Sequence, residues 1–330
     1  MSGTLVIQPL PGIGDMVWHL PHIHAIAQAS PDGTVTVLTK ARSRAEQLFA
    51  ADPQVRDVLF LERERGGRHA GPIGLLRLAW QLRAQRFDSV WILHDSARYA
   101  VAAWLAGIPR RIGYATGAAR VLLNKPLSLT PEQHVWHPID KADLLMRAHG
   151  LNMPAARLVV AADATVRIRS RFAATAKPWV ALGIGTSEPY KQWGAPRFAE
   201  LACALAQRYG MSAFLIGGDG ERVLGDEIIA QAARQGVTVR NALGLSVADT
   251  MALLADCRVY VGNDTGFLNV AAAVGVPAFG LFGASPPLIH TDMIRCLLPE
   301  DGSVPSYGTP YMDRISVPGV LAALADALRG

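Results

Sequence analysis

Residues 259–273 read Val-Tyr-Val-Gly-Asn-Asp-Thr-Gly-Phe-Leu-Asn-Val-Ala-Ala-Ala and decide the fold of this chain. The apolar run from Val259 to Val261 predicts a buried strand, Asn263 to Gly266 form a turn, and the small residues that follow predict a helix packed close to a sheet. Such a strand-turn-helix points backbone N–H groups and a helix N-terminus at one spot, which attracts phosphates. On the turn alone, simple capping of the helix by Asp264 or Thr265 is an equal alternative.

Short apolar runs alternate with helical patterns along the chain, which is typical of α/β domains with parallel sheets. Strands are predicted at Leu5–Gln8, Val35–Leu38, Val58–Leu61, Ser89–Leu93, Trp179–Gly183, Ala213–Ile216, Val237–Arg240, Val259–Val261 and Ala278–Phe282. Helices are predicted at Met16–Ala29, Arg44–Ala50, Ile73–Gln85, Pro196–Tyr209, Arg222–Gln235, Val247–Ala255, Gly266–Val274 and Val317–Arg329, with one more within 134–149.

The alternation is interrupted between Lys125 and Lys177, and we place a domain boundary within residues 155–176. Each half begins with a strand that runs into a glycine-bearing loop. The chain is therefore predicted to form two doubly wound, Rossmann-like domains, residues 1–160 and 161–330, that face each other across a cleft. Ligands are expected beyond the carboxyl ends of the strands. An arrangement in which the last helix packs back on the N-terminal domain stays open.

The composition indicates a globular protein, since 50% of the 330 residues are hydrophobic and 18% are charged. The net charge of +5 favours nucleotides, phosphorylated lipids or anionic membrane surfaces as partners, and no nucleic-acid partner is predicted. The three cysteines form no CxxC, so we expect buried hydrophobes in a reducing compartment. No signal peptide or membrane-spanning run is recognisable, and a cytoplasmic protein is expected.

The first strand runs into a glycine turn, Pro11-Gly12-Ile13-Gly14-Asp15, which opens a helix. The spacing is neither GxGxxG nor a P-loop. Asp15 has two interpretations: a carboxylate that accepts a proton from a substrate hydroxyl, or a helix cap, which the local pattern slightly favours. Three histidines follow without a visible carboxylate or cysteine partner, and we expect them on the helix surface or in packing, not as metal ligands: His19, His22 and His24.

The loop after the Trp179–Gly183 strand carries groups that suit a diphosphate. Gly185 allows close approach of the backbone, and Thr186 and Ser187 offer hydroxyl donors. Lys191 offers a movable cation in place of a metal, with a solvated loop lysine as the alternative.

Two further loops offer groups for a nucleoside. Glu221, after Gly217-Gly218, suits ribose hydroxyls, and a first-turn helix glutamate is an equal alternative. Leu245 is placed to pack on a base, and Ser246 is a good helix cap. Because loops after successive strands of one domain converge on one rim, together they predict a single nucleotide-diphosphate site.

In combination these motifs resemble glycosyltransferase family 9, the bacterial ADP-heptose:lipopolysaccharide heptosyltransferases and their relatives. The similarity runs in order from Leu5 to about Pro287. It is carried by the Gly-Asp loop at 11–15, Gly185-Thr186 with Lys191-Gln192-Trp193, Gly217-Gly218 with Glu221, and Asn263-Asp264-Thr265-Gly266 followed by Gly275-Val276-Pro277 and Leu281-Phe282-Gly283. The Asp-Thr-Gly block with its tail is the most specific part.

The resemblance implies a GT-B fold and an inverting transfer, without metal or cofactor, of a sugar onto a lipopolysaccharide core or related glycan. Heptose from ADP-heptose is the expected donor. On the acceptor side, Asp15 would be the general base in a loop with Gly12 and Gly14, and Lys191 would be the catalytic cation. Asp264 would orient its loop or bind a sugar hydroxyl, because its charge opposes phosphate. The implied donor-binding residues are Thr186, Ser187, Lys191, Glu221, Leu245, Asp264, Thr265, Gly266 and Asn269.

One position departs from the family pattern. The family usually carries a histidine three residues after the glycine of the block, whereas this chain has Asn269, which donates a hydrogen bond but cannot become cationic. Two alternatives therefore stay open: a nucleotide-sugar epimerase or hydrolase of the same fold, and a catalytically silent nucleotide-sugar-binding protein.

The segment from Leu61 to Arg86 combines arginines with a helical apolar pattern. One hypothesis is peripheral contact with the anionic inner face of the cytoplasmic membrane or with a phosphorylated glycolipid acceptor. The favoured alternative is an ordinary amphipathic helix with its apolar face on the sheet and its arginines in water.

Overall fold

The computed structural model describes residues 3–287 and 290–329, which belong to two compact units, Met1–Leu158 and Val159–Gly330. We refer to them as the N-terminal unit and the C-terminal unit. Each unit contains one parallel six-stranded sheet.

The N-terminal sheet has the strand order β3-β2-β1-β4-β5-β6. Its strands are β1 (Gly3–Ile7), β2 (Val35–Thr39), β3 (Val55–Phe60), β4 (Phe87–Ile92), β5 (Arg110–Tyr114) and β6 (Lys125–Leu127). The helices of the unit are α1 (Ile13–Trp18), α2 (Leu20–Gln28), α3 (Ala45–Leu48), α4 (Gly71–Gln85), α5 (Ala97–Leu105), α6 (Ala119–Leu122), α7 (Pro131–His134) and α8 (Pro138–Ala148). The order reverses between β1 and β4, so the loops after these strands flank the switch point where doubly wound sheets bind ligands.

The C-terminal sheet repeats this topology in the order β12-β11-β10-β7-β8-β9, with its switch point between β7 and β10. Its strands are β7 (Trp179–Gly183), β8 (Ser212–Ile216), β9 (Arg240–Asn241), β10 (Cys257–Asn263), β11 (Ala278–Leu281) and β12 (Ile294–Leu297). The helices of the unit are α9 (Ala162–Arg171), α10 (Ala195–Tyr209), α11 (Arg222–Ala233), α12 (Val247–Ala255), α13 (Gly266–Ala273) and α14 (Val317–Arg329).

The central strands are apolar runs because both of their faces are covered. Every residue of β1 and of β7 is buried, as expected for strands of a parallel sheet with helices on both sides. The helices bury apolar side chains against the sheet: α10 buries Phe198 and Leu201. Its C-cap is Gly210, whose φ of 62° is a left-handed conformation that favours glycine.

Two glycines at the switch point of the C-terminal sheet make room for a tyrosine. A Cβ atom at Gly183 or at Gly262 would overlap the hydroxyl of Tyr260, which is fully buried beneath these strand ends. These two positions pair with each other in the register of β7 and β10. The sequence requirement for glycine here therefore comes from packing inside the unit.

Several predicted elements agree with the structure at both ends. The strand Trp179–Gly183 and the helices Val247–Ala255 and Val317–Arg329 have the predicted bounds. The last helix packs on α10 and β10 of its own unit, and Arg258 Nε donates to the Ala327 carbonyl at 3.2 Å.

Other predictions were wrong in detail. The predicted helix Met16–Ala29 is two helices separated at His19, and β9 is only Arg240–Asn241. No helix was predicted at α9, where only Ala164 and Ile168 are buried. The strands β5, β6 and β12 were also missed, because they are short or charged (β12 reads Ile-Arg-Cys-Leu) and give little apolar signal. The helix α5 was missed although most of its residues are apolar.

Candidate active site

In the N-terminal unit, the loop after β1 holds Asp15 in the first turn of α1. Asp15 Oδ2 accepts a hydrogen bond from the Gly12 N–H at 2.8 Å. Buried Gln8 braces the loop: its Nε2 donates to the Asp15 carbonyl at 3.3 Å, and its Oε1 accepts from the Leu10 N–H at 3.2 Å. The predicted alternative, Asp15 as the N-cap residue, is wrong: Gly12 is the N-cap, and Asp15 is the third helical residue, whose carboxylate accepts the N-cap N–H. This contact fixes the carboxylate beside the switch point.

The surroundings of Asp15 also change its acidity. Burial raises the pKa of Asp15 above its usual value, while the Gly12 N–H and the nearby His137 and Arg42 lower the pKa by less. A carboxylate with a raised pKa is a stronger base than an exposed aspartate. The geometry therefore allows both a capping role and a proton-accepting role.

The three histidines of this region are packing groups with partners that the sequence did not reveal. His22 Nε2 lies 2.7 Å from Asp143 Oδ1, and His24 Nε2 lies 2.7 Å from Asp52 Oδ2. His19 Nδ1 lies 2.8 Å from the Asp15 carbonyl oxygen, an arrangement that requires the proton on Nδ1. Burial, reinforced by His22, lowers the pKa of His19 to about 3, so its ring is neutral.

In the C-terminal unit, the structure brings Lys191 and Asp264 together from loops after β7 and β10. Lys191 Nζ lies 3.0 Å from Asp264 Oδ2 and 3.3 Å from Glu188 Oε2. The lysine side chain is only 12% exposed, so the alternative of a solvated loop lysine is wrong. Burial opposes its charge, but the carboxylates of Asp264 and Glu188 outweigh burial and raise the pKa of Lys191 above its usual value. A fixed ammonium ion therefore stands at the switch point.

Two neighbours of this ion pair were missed as contributors to the site. Ser285, in the loop after β11, donates from Oγ to Asp264 Oδ2 at 2.7 Å. Asn263 is fully buried and ties the end of β10 to the loop after β7: its Nδ2 donates to the Ile184 carbonyl at 3.0 Å, and its Oδ1 accepts from the Trp193 N–H at 3.3 Å. Ser285 could have been predicted from the sequence, because it lies just beyond the carboxyl end of β11, the strand next to β10.

The helix start after Asp264 lacks a side-chain cap. Thr265 occupies the N-cap of α13, yet within the described residues its side chain makes no capping bond, and the Asp264 side chain is engaged by Lys191 and Ser285. Capping is therefore not the role of either side chain. The Leu268 N–H at the start of α13 donates to the Thr265 carbonyl at 3.1 Å. The other N–H groups of a helix start without a side-chain cap suit an anion.

The departure from the family pattern, Asn269, lies one turn into α13. It is 6% exposed, and its Nδ2 donates to the Thr265 carbonyl at 3.3 Å. This amide therefore binds the backbone at the start of the helix. A protonated histidine would place a positive charge there, which the neutral amide does not.

The loop after β7 arranges its hydroxyls locally. Thr186 Oγ1 donates to the Glu188 carbonyl at 3.0 Å, and exposed Ser187 donates to Glu188 Oε2 at 2.7 Å. Glu188 thereby links both hydroxyls to Lys191. Gly185 in the same loop is half-buried.

The loops after β8 and β9 complete the rim. Glu221 Oε2 accepts from the Gly218 N–H at 2.7 Å, and a Cβ atom at Gly185 would lie 3.6 Å from the Glu221 carboxyl carbon. Gly244 N–H donates to the Gly217 carbonyl at 3.0 Å, which places half-buried Leu245 next to this loop. The four loops that the sequence assigned to one rim thus lie side by side. Ser246 caps α12 by accepting from the Asp249 N–H at 3.0 Å.

Metal ligation and membrane crossing are both without structural support in residues 3–287 and 290–329. These residues contain no group of three or more histidine, cysteine, aspartate or glutamate side chains able to hold a metal ion. Within the same ranges, no helix is both long enough and apolar enough to cross a bilayer.

Comparison with known proteins assigns the family. The model of glycosyltransferase family 9 (heptosyltransferase) matches residues 75–294, which is more than half of the chain. The chain belongs to glycosyltransferase family 9. This glycosyltransferase is 29% identical over 304 residues to lipopolysaccharide heptosyltransferase 2 of Salmonella typhimurium, covering 87% of this chain and 85% of that protein.

Solved structures agree with this assignment. The family 9 member resembles the E. coli ADP-heptose lipopolysaccharide heptosyltransferase II with a TM-score of 0.78 at 25% identity, covering 99% of this chain and 98% of that one. A family 9 glycosyl transferase from Veillonella parvula gives a TM-score of 0.83 at 20% identity, with 99% and 97% covered, which shows the shared fold. The predicted family and the GT-B fold with two Rossmann-like domains are confirmed.

Proposed function

We propose that this family 9 enzyme transfers heptose from ADP-heptose to a lipopolysaccharide core or related glycan by an inverting, metal-independent displacement. The observation that carries the proposal is the half-buried ion pair of Lys191 and Asp264 beside the start of α13, which has no side-chain cap. The names of the similar heptosyltransferases support the donor and the acceptor class.

On the donor side, the diphosphate would lie at the start of α13. The backbone N–H groups near Gly266 and the ammonium group of Lys191 would stabilise the negative charge that develops on the leaving diphosphate. Asp264 keeps this ammonium group in place, and Ser285 keeps Asp264 in place. Glu221, Thr186, Ser187 and Leu245 would contact the ribose, the phosphates and the base.

On the acceptor side, Asp15 would accept the proton of the attacking hydroxyl. That oxygen would attack the anomeric carbon from the face opposite the diphosphate, so that one displacement inverts the configuration. The raised pKa of Asp15 increases its basicity, while the Gly12 N–H holds one carboxylate oxygen at a defined position.

The donor is tested by calorimetric titration with ADP, UDP and GDP and their sugars in the presence of EDTA. We expect selective binding of ADP and ADP-heptose, with stabilisation by about 4 kcal/mol at a thousandfold excess over Kd. Preference for UDP or GDP would contradict the donor assignment. Turnover of the preferred nucleotide sugar without any acceptor would favour an epimerase or hydrolase, and binding without turnover would favour a silent binding protein.

A matched pair of lysine variants tests the diphosphate site. Lys191→Met should weaken ADP binding about tenfold or more, because it removes a charge-assisted contact from a mostly buried site. Lys125→Met makes the same change at an exposed lysine of β6 and should leave ADP affinity unchanged. Equal affinities of the two variants would place the diphosphate elsewhere.

We further propose that the enzyme works at the inner face of the cytoplasmic membrane through α4. This helix buries Leu78 and Leu82, and its opposite side exposes Ile73 by 67%, Leu76 by 53% and Trp80 by 78%. The favoured sequence interpretation accounts for the buried face only. A second apolar stripe that contains a tryptophan and is flanked by exposed arginines is typical of a helix lying on an anionic bilayer surface.

Vesicle sedimentation tests the membrane contact. Wild-type protein should bind vesicles of phosphatidylcholine with phosphatidylglycerol more strongly than vesicles of phosphatidylcholine alone. A triple variant, Ile73→Gln with Leu76→Gln and Trp80→Gln, should lose this binding. A control variant with Val166→Gln and Val223→Gln, at apolar side chains exposed by 68% and 83% in the C-terminal unit, should retain it. Binding that does not depend on anionic lipid would remove the proposal.

A further inference from the structure

A small polar cavity lies beside the switch point of the N-terminal sheet and has no role in the steps described above. Its volume is about 70 Å³. Its wall includes Leu10 of the loop that carries Asp15, Asp95 just after β4, Tyr114 at the end of β5 and Lys141 of α8. The cavity therefore opens at the carboxyl edge of the sheet, where this fold places ligands. A larger cavity of about 210 Å³ lies at the opposite, amino-terminal edge of the same sheet.

Two buried polar atoms in this wall lack a hydrogen-bond partner. Within the described part of the chain, neither Tyr114 Oη nor Asp95 Oδ1 has one, although both atoms are shielded from solvent. Tyr114 is only 2% exposed. Such groups are normally satisfied by a bound water or a ligand, because leaving them unpaired in the interior is unfavourable.

An ion pair lies in the wall of the cavity. Lys141 Nζ donates to Asp95 Oδ2 at 2.5 Å and contacts the His134 carbonyl at 3.4 Å. Burial, with the nearby negative charge of Asp95, raises the pKa of Tyr114, so its phenol stays protonated and is available as a donor. The free capacity is thus one neutral donor and one carboxylate acceptor. A phosphate or carboxylate would be repelled by the unpaired oxygen of Asp95, whereas a neutral hydroxyl group satisfies both atoms.

Asp95 is fixed from two directions. Lys141 holds one carboxylate oxygen, and Thr116 Oγ1 donates to the Asp95 carbonyl at 2.6 Å. The neighbouring His94 accepts from the Ser96 N–H at 3.0 Å, which stabilises the turn after β4. Because Lys141 binds Oδ2 and not Oδ1, the acceptor capacity of the buried Oδ1 is present before a ligand arrives.

We propose that this cavity is a subsite for a neutral sugar hydroxyl of the acceptor, which donates to Asp95 Oδ1 and accepts from Tyr114 Oη. The proposal rests on the proposed function insofar as the N-terminal unit holds the acceptor. Tyr114 and Asp95 then select a hydroxylated ring at this point of the acceptor, separately from the chemistry at Asp15.

The test uses the full chain and, as the acceptor probe, deacylated lipopolysaccharide from a host strain that lacks this transferase. Tyr114→Phe removes one oxygen atom and keeps the ring. We expect it to raise the acceptor KM, and the acceptor Kd measured by calorimetry without donor, about five- to tenfold. The KM of the nucleotide sugar should not change. Tyr209→Phe, the same change at a half-buried tyrosine of α10, should alter neither constant.

The outcomes separate the subsite from the function. If Tyr114→Phe shifts Tm while acceptor KM and Kd match the wild type, the cavity holds a structural water and the subsite is wrong. If the wild type binds the probe in a Tyr114-dependent manner but transfers no sugar to it, the subsite stands and the proposed function fails. A wild type that binds no probe at all overturns the subsite.

Discussion

At the scale of single residues, Asp15 makes a structural hydrogen bond at a position where burial disfavours its ionised form. Its carboxylate caps the first turn of α1 through the Gly12 N–H, yet burial makes the ionised form unfavourable and raises its pKa. A carboxyl group whose pKa is raised by burial beside a switch point is typical of a functional site.

Replacement of Asp15 by asparagine should separate the two roles. We expect Asp15→Asn to lower turnover about a hundredfold or more, because the base is lost. The amide oxygen can still accept from Gly12, so capping persists. Since the folded pKa of Asp15 is raised, ionisation destabilises the fold as pH rises through that pKa. The variant should therefore have an equal or higher Tm at pH 7, and the difference should vanish below about pH 4.

Turnover and melting curves across pH 4 to 8 check this expectation. The matched control is Asp57→Asn, an exposed aspartate of β3 in the same unit, which should leave turnover unchanged. A variant of Asp15 that retains full turnover would remove its role as base, and a clearly lower Tm at pH 7 would show that the carboxylate is mainly structural.

The sequence identified Lys191 and Asp264 because each follows a strand end with a glycine nearby, a local signal. It did not identify Asn263 as a brace or Ser285 as a neighbour of Asp264. Those roles depend on contacts across 79 and 21 positions of the chain, between Asn263 and Ile184 and between Ser285 and Asp264. A single sequence contains no periodic pattern that specifies such distant pairs.

At the scale of elements, α9 shows how a helix with little apolar character is held in place. Arg169 binds Asp256 through two hydrogen bonds, of 2.9 and 3.0 Å, and Arg167 binds Asp249 at 2.8 Å. These pairs attach α9 to α12 and to the residue that follows it. The sequence predicted no element at α9 because its stabilising partners lie more than 80 residues away.

The pair of Arg169 and Asp256 should make the anchoring of α9 depend on pH. The hydrogen bonds from Arg169 lower the pKa of Asp256, whose side chain is 9% exposed. A carboxyl group with a lowered folded pKa stabilises the fold above its unfolded pKa, near 3.9, and this stabilisation is lost as pH falls through the folded pKa. Arg169→Met should therefore lower Tm at pH 7 and have progressively less effect below about pH 4.

Thermal melts of Arg169→Met and of Arg171→Met check this dependence. Arg171 lies on the same helix and contacts the ring of Phe172, with 5.2 Å from its Cζ to the ring centroid. Any effect of Arg171→Met on Tm should therefore be the same at pH 7 and in acid. An Arg169→Met deficit that persists unchanged at pH 3 would mean that packing of the long side chain, and not the ion pair, holds α9.

At the scale of the whole molecule, the two units repeat one topology and carry different chemistry at equivalent places. In both sheets the reversal of strand order lies between the first and fourth strands of the unit. The N-terminal switch point presents carboxylates, Asp15 and Asp95, whereas the C-terminal one presents Lys191 and a helix start. Strand-helix alternation sufficed to predict the repeat, since parallel sheets follow few connection rules. The difference in side chains at the two switch points lies in the loops alone, and it is the basis of the proposed division into acceptor and donor units.

This division predicts where ligands will slow amide hydrogen exchange. ADP should protect residues 184–192 and 263–268, because it would occupy the N–H groups at the start of α13 and hold the Lys191 loop. Some of these amides can exchange only after ADP has dissociated. At an ADP concentration about one hundred times Kd, their exchange rate should fall about a hundredfold, which corresponds to about 2.7 kcal/mol. Deacylated lipopolysaccharide should instead protect residues 8–19 and 93–96. Protection of the loop at 8–19 by ADP, with none at 263–268, would exchange the roles of the two units and contradict the assignment of donor and acceptor.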